Sequence, residues 1–478
     1  MPPEKRFKDK LNDWFKRDPN RITGSGRTAL QEAIHRRRAD KVAKLLQQGA
    51  DPNFSGMLSP SRKPLAMAIM RKDMFVMSML IKAGAEPDGH IGNSSYLYYS
   101  VLNKHIKGTE VLLKQSPIAD IRNEWNDETA LFALADIEEA NESYIESAVK
   151  LLADNGTPLN AINRDGETAL YQAMEKGQYL VAFYLLHAGA DPNITPAGRP
   201  HILSTILDTL NDSPELWNVA KMLLAHNANP NVTSGQNMSV LHWAITFNDQ
   251  DMVRFAANNC ENIYTPDYLG NTALHYAMDT GDAWMADFTL NLYEKLPHQK
   301  NMRGFTAFDI FMWQFSNPQS DRNYKVIEKM LHKGFDPDYR DANGYTMLEH
   351  AVEKGNYRLA KIMIKNKADV NLIKNDGHYP LLMAVHNNDL DIVDLLLDHD
   401  AEPNTPNERG WTILDILAKN GDRTSSMVQR LIAGGGEYRK QLPAADNVHQ
   451  FTPKKLKYQN PKDGNDMPKA IHRRPPKM

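Results

Sequence analysis

The sequence predicts an all-α repeat solenoid of about twelve helix-turn-helix units joined by short hairpin turns. Three observations carry that prediction. A T-A-L-x-x-A pattern recurs along the chain, a second pattern ending in Asp-Pro-Asn follows it at fixed phase, and apolar residues between the two fall at helical spacing. A solenoid has no single core, so the 478 residues need not be divided among globular domains.

The units align on one apolar residue: Leu30, Leu65, Leu97, Leu131, Leu170, Leu203, Leu241, Leu274, Phe308, Leu348, Leu381 and Leu414, at intervals of 32 to 40 residues. Around it the pattern reads Thr28-Ala29-Leu30 with Ala33, Thr168-Ala169-Leu170 with Ala173, and Thr272-Ala273-Leu274-His275 with Ala277. The second pattern reads Gly49-Ala50-Asp51-Pro52-Asn53, then Gly84-Ala85-Glu86-Pro87-Asp88, Gly189-Ala190-Asp191-Pro192-Asn193, Ala368-Asp369-Val370-Asn371 and Ala401-Glu402-Pro403-Asn404.

Each element has a local reason. Leu30, Ala33 and Ile34 share one helical face, as do Val42, Leu45 and Leu46. Gly49 stands where a helix C-terminus favours positive φ. Asp-Pro-Asn then turns the chain, because Pro fixes φ and Asp or Asn bonds nearby backbone. The small Ala three residues after the aligned leucine lets neighbouring helices approach closely. One such helix pair cannot bury both of its apolar faces, so stability must come from stacking.

These two motifs together resemble the ankyrin repeat family, whose unit is about 33 residues with a T-P-L-H-x-A signature. The resemblance covers about residues 22–436. It implies a concave groove lined by first helices and hairpin fingers, and a structural hydrogen bond from His242 and His275 to the neighbouring hairpin. Several units depart from the pattern. The third reads Tyr96-Leu97-Tyr98-Tyr99-Ser100, with Ser116-Pro117 in place of the glycine turn; the seventh has Asn259-Cys260-Glu261 there, and the eighth ends in Leu296-Pro297-His298. A bend is expected near units 3 and 7–8. Extra residues in three long units, Glu138 to Glu146, Asp208 to Leu216 and Gln314 to Asn323, are expected between the two helices.

Flanking segments complete the expected organisation. Residues 1–21 form an N-terminal capping helix or arm, with Leu11, Trp14 and Phe15 near one face; a membrane-surface or targeting helix is the competing reading. Residues 437–478 hold ten Lys and Arg against four Asp and Glu, with six prolines, and are expected to be a disordered basic tail.

Composition excludes several classes. The balance of 56 Lys and Arg against 59 Asp and Glu argues against a chain built to coat nucleic acid, leaving at most weak contact by the tail. No stretch is apolar and long enough to span a membrane. The single cysteine excludes a disulfide framework and a Cys-rich metal site. Walker, dinucleotide-binding, H-E-x-x-H and nucleophile-elbow motifs are absent from the sequence. Gly434–Gly436 reads as a helix stop, and Cys260 as a packing residue in a tight slot. The recurring Asp51, Asp191, Asp336 and Asp369 are turn formers, one per unit. Repetition spreads similar groups along a line, whereas catalysis needs different groups at one point. No catalytic residue, cofactor or metal is therefore assigned.

The expected function is binding of a protein partner in the concave groove, by a cytoplasmic monomer. Three residues before the aligned position the units carry Phe305, Tyr345, His378 and Trp411 near the finger, and two after it Trp243, Tyr276 and His350 on the first helix. These seven are the candidate anchors; the competing reading is that they only pack the stack. The tail clusters Lys454, Lys455, Lys457, Arg473 and Arg474 either solubilise the end or act as an import, docking or export signal. Two alternatives remain: a secreted bacterial effector that engages a host protein through the repeats, and an enzyme or inhibitor with an active element in the long insertions.

Overall fold

The computed structural model describes residues 18–56, 62–115, 120–138, 141–261, 263–294, 299–315, 320–341, 343–373, 377–407 and 410–438. The N-terminal segment up to residue 17 and the tail clusters lie outside them. Among the described residues 24 α-helices follow one another in pairs. We call the pair in each repeat helix A and helix B, and number the repeats in chain order. In repeat 1 they are Ala29–His35 and Ala39–Gln47; in repeat 10, Met347–Glu353 and Tyr357–Lys365. The chain divides into two compact units, Met1–Val232 and Thr233–Met478. Within each, A helices pack on A helices of the next repeat, and B helices on B helices.

Helix A is short and almost wholly buried. In repeat 10, Met347, Leu348, Glu349, His350, Ala351 and Val352 are all covered, because the helix lies between its own helix B and the neighbouring A helices. Helix B buries one stripe, as Val42 and Leu45 show in repeat 1. Three repeats have long connections between A and B, running from Ala135 to Glu142, Thr209 to Trp217 and Phe315 to Asp321. These repeats carry Leu134, Ile206 and Phe311, all buried, where most others have Ala. The bulkier side chain and the longer connection occur together.

Two polar devices recur. The first caps helix A. Thr28 Oγ1 accepts from the Gln31 N–H at 3.1 Å, and Gln31 Oε1 accepts from the Thr28 N–H at 2.8 Å, a reciprocal capping box. Gln31 Nε2 also donates onward to the carbonyls of Ser55 and Arg62 at 3.0 and 2.8 Å. His242 and His275 hold the same register. His242 Nδ1 accepts from the Ser239 N–H at 3.2 Å, and its Nε2 donates to the Asn271 carbonyl at 3.2 Å. His275 does the same with Thr272 and the Phe305 carbonyl. These are the bonds to the next hairpin that the family resemblance implies.

The second device joins consecutive Asp-Pro-Asn turns. Asn371 Oδ1 accepts from the Glu402 N–H at 2.8 Å while its Nδ2 donates to the Asp400 carbonyl at 2.9 Å. Asn53 clamps Glu86 and Gly84 in the same way, Asn193 clamps Asn229 and Asn227, and Asn404 clamps Glu437 and Gly435. One amide thus reads two backbone groups of the following repeat. The Gly434–Gly436 run is a helix stop: Gly435 has φ +92° and the Gly436 N–H bonds the Leu431 carbonyl at 2.8 Å.

Two expectations follow. Replacing Asn371 by Ala removes both clamp bonds and should lower stability by about 1–2 kcal/mol, read as a fall in the guanidinium midpoint. The second concerns pH. Burial pushes His242 down to about 4. Above about pH 6.5 both folded and unfolded chains hold this ring neutral, so its contribution is fully present. Below that the unfolded chain takes up the proton and the folded one does not, so stability falls by about 1.4 kcal/mol per pH unit until about pH 4. His242→Gln, which copies Gln31, should flatten denaturation midpoints measured between these pH values. An unchanged slope would show that the ring is not the group responsible.

Candidate partner-binding surface

The structure sorts the seven candidate anchors into two groups. Trp243, Tyr276 and His350 are inside the stack, at 1%, 7% and 0% exposure. The expectation that they face a partner from the groove is corrected on this point. The reason lies in the finger. In several repeats an Asp or Asn seven residues before the aligned position closes the finger: Asp341 Oδ1 accepts from the Asn343 and Tyr345 N–H groups at 2.9 Å each, and Asp267 Oδ1 from Leu269 and Asn271 at 2.9 and 2.7 Å. The first-helix residue then bonds the remaining oxygen. Tyr276 donates to Asp267 Oδ2 at 2.7 Å, and His350 Nε2 donates to Asp341 Oδ2 at 2.9 Å. Burial, with Asp267 beside it, pushes the Tyr276 phenol far above its usual range. Burial raises the Asp341 carboxyl, but the His350 and backbone hydrogen bonds outweigh it and hold the group below its ordinary value. Trp243 packs against Phe247, ring centroids 5.7 Å apart, and its Nε1 has no hydrogen-bond partner among the described residues.

Phe305, Tyr345, His378 and Trp411 are half-buried. They come one per repeat rather than to a single point. Tyr345 stacks on His350 at 5.1 Å, and Lys419 Nζ lies 4.5 Å over the Trp411 ring. The Tyr345 and Trp411 rings therefore already touch the stack along part of their surface.

Three exposed apolar side chains stand elsewhere. Trp125, Tyr268 and Met302 are 73%, 47% and 77% exposed. Each lies six residues before the aligned position, at a finger tip. The signal was available in the sequence, but three residues away from the register read there. Backbone bonds tie the tips to their neighbours: the Tyr268 N–H donates to Gln236 at 2.9 Å, Met302 to Leu269 at 2.8 Å, and Glu124 to Asn93 at 3.0 Å. Beside Trp125 an open cavity of about 380 Å³ is lined by Asn93, Ser94, Tyr98, Asn123 and Asn126. The Tyr98 hydroxyl donates to Asp136 at 2.6 Å, and buried Glu128 accepts from Gln172 at 3.1 Å. Burial raises the Glu128 carboxyl. Amides and an indole suit hydrogen bonding and stacking.

The remaining chemistry is quiet. Cys260 is half-buried, and burial pushes its thiol up to about 11, so it is held protonated near neutrality. Among the described residues no group of three or more His, Cys, Asp or Glu is placed to hold a metal ion, and no helix is long and apolar enough to cross a membrane. Since Tyr276 staples its own finger, Tyr276→Phe should cost about 1–2 kcal/mol by leaving Asp267 Oδ2 with only the Asn271 amide at 3.2 Å, measured by chemical denaturation. An anchor facing solvent would cost almost nothing.

Comparison with known proteins agrees with this architecture. A family profile described as ankyrin repeats in three copies matches residues 112–196, 213–299, 319–407 and 348–441, and a single ankyrin repeat profile matches 25–56. Ankyrin repeat protein L371 of Acanthamoeba polyphaga mimivirus is 23% identical over 292 residues, covering 59% of this chain and 34% of that protein. Ankyrin repeat protein FPV115 of fowlpox virus (strain NVSL) is 24% identical over 390 residues, 79% of this chain and 62% of that one. Human Rabankyrin-5 is 23% identical over 274 residues, 55% of this chain and 22% of its own length. The chain thus spans about a third or less of two of these curated relatives and 62% of the third. An ankyrin repeat domain from Acinetobacter baumannii aligns with 41% of this chain and 98% of its own, at 23% identity and a TM-score of 0.36. With family matches over more than half of its length, the chain belongs to the ankyrin repeat family.

Proposed function

We propose that this chain is a non-catalytic recognition scaffold that holds a protein partner against its fingers. One observation supports the reading above the others. Large apolar side chains at one register, Trp125, Tyr268 and Met302, are left in solvent at the finger tips, and Met302 and Trp125 are 77% and 73% exposed. Exposed Trp, Tyr and Met are the residue types that anchor protein interfaces. In the second unit, Tyr268 and Met302 stand on neighbouring fingers, and the half-buried Phe305, Tyr345, His378 and Trp411 supply the finger bases. In the first unit the amide-lined cavity beside Trp125 offers donors and acceptors for a polar partner group. No cofactor enters this reading, and the basic tail is a second contact at most.

Met302→Glu and Tyr268→Ala remove the exposed apolar groups without touching the stack. Both variants should melt within about 0.5 kcal/mol of the parent, as surface changes usually do. Affinity capture from the native cell should recover the partner with the parent chain and lose it with the double variant. Equal recovery by both would overturn the finger-tip reading.

A further inference from the structure

A row of cations occupies strained backbone along one edge of the first three repeats. In repeats with a short A–B connection, the residue seven after the aligned leucine takes a left-handed conformation. Repeats 5, 7, 8, 10, 11 and 12 fill it with Gly177, Asn248, Gly281, Gly355, Asn388 and Gly421. Glycine has no Cβ to clash there, and Asn is the side chain best tolerated. Repeats 1, 2 and 3 instead place Arg37, Lys72 and Lys104 at φ 54°, 54° and 56°. The fold closes the same turn with glycine or asparagine six times, so the turn itself does not require the cations. Strain kept at successive equivalent positions points to a use outside the fold.

The row is continuous and solvent-facing. Arg37, Lys72 and Lys104 are exposed, as are Arg36 and Arg38. Arg71 Nη2 lies 2.6 Å from His35 Nδ1, Lys72 Nζ donates to the Asn103 carbonyl at 2.6 Å, and Lys104 Nζ to the Glu138 carbonyl at 2.9 Å, so each turn touches the next. Beside Lys72 stand Met74 and Phe75, 41% and 65% exposed. The wider charge follows the row. Residues 1–115 hold 21 Lys and Arg against 11 Asp and Glu, whereas residues 116–436 hold 25 against 44. At repeat 4 the row of cations ends: exposed Asp136, ion-paired to Lys176, and exposed Glu138 stand in the A–B connection.

We propose that the A–B edge of repeats 1–3 docks an acidic segment of a partner protein. Its carboxylates lie along Arg37, Lys72 and Lys104, and a large apolar side chain rests on Met74 and Phe75. The end of the row at repeat 4 favours a short protein segment over an extended polyanion. A nucleic-acid strand or an anionic membrane would continue past Lys104 onto Asp136 and Glu138. This edge is separate from the finger tips, and the proposal stands independently of the finger reading.

The strained turn supplies its own control. Arg37→Gly, Lys72→Gly and Lys104→Gly, made together in the full chain, remove three charges while installing the residue the backbone prefers. The melting temperature should hold or rise. The probe is a fluorescein-labelled Glu- and Asp-rich peptide carrying Phe and Leu, followed by fluorescence anisotropy. The parent should bind it saturably, more weakly as salt is raised, and the triple variant should lose about tenfold in affinity. Phe75→Ser should weaken binding without changing the salt dependence. Equal affinity of parent and triple variant, or tighter binding of phosphatidylserine vesicles or single-stranded RNA than of the peptide, would overturn the proposal.

Discussion

The structure depends on one constraint: a helix pair this small cannot bury its apolar surface alone. Helix A of repeat 10 is seven residues long and has six of them covered. It achieves this only because other A helices flank it. Burial on all sides would strand the backbone N–H groups at its first turn, so each A helix needs a cap that works without water. The capping residue and its partner one position after the leucine provide that cap, and in repeats 1, 7 and 8 the partner's outer atom also binds the next hairpin. Hydrophobic stacking and polar satisfaction are therefore solved by the same residues, and both are nearest-neighbour interactions.

That economy decides where function can reside. The aligned leucine, the threonine before it, the polar residue after it and the small alanine are committed to the stack. In repeats 8 and 10 the residue two after the leucine is committed as well, because Asp267 and Asp341 need a second donor. What the fold leaves open is the finger tip and the connection between helices A and B. Trp125, Tyr268 and Met302 occupy the first, and Arg37, Lys72 and Lys104 the second. Large apolar groups and cations thus accumulate where the repeat imposes least on side-chain choice.

Much of the fold was legible in the sequence. The leucine register, the Asp-Pro-Asn turns, the placement of extra residues between A and B, and the hairpin bonds of His242 and His275 all follow from motifs or from the resemblance they carry. The candidate anchors were legible only in part. A ring near a groove reads the same whether it faces solvent or a buried carboxylate. Asp267 and Asp341 make that choice for Tyr276 and His350, and they lie in the finger, outside the two motifs that announce the repeat. The finger tip was misplaced by three residues because the closing Asp or Asn was not read as the start of the turn. The strained cations could not be seen at all, since φ is a property of the folded turn and Lys72 looks like any exposed lysine in the sequence.

The same cap is made with chemically different groups, and this gives the stack a sensitivity that no repeat motif announces. Gln31, His242, His275, Asp309, Glu349 and Asp415 occupy one register, and each accepts a hydrogen bond from the cap residue's N–H. An amide oxygen accepts at any pH. Imidazole differs: Nδ1 accepts only while the ring is neutral, and protonation turns it into a second donor facing an N–H. Burial lowers both His242 and His275, which keeps them acceptors near neutrality. Acid therefore acts on the caps of repeats 7 and 8, while repeat 1, with Gln31, has no proton to gain. The amide and imidazole caps, interchangeable as geometry, are thus distinguished by their titration, and a repeat's cap responds to acid or ignores it according to which of the two it carries.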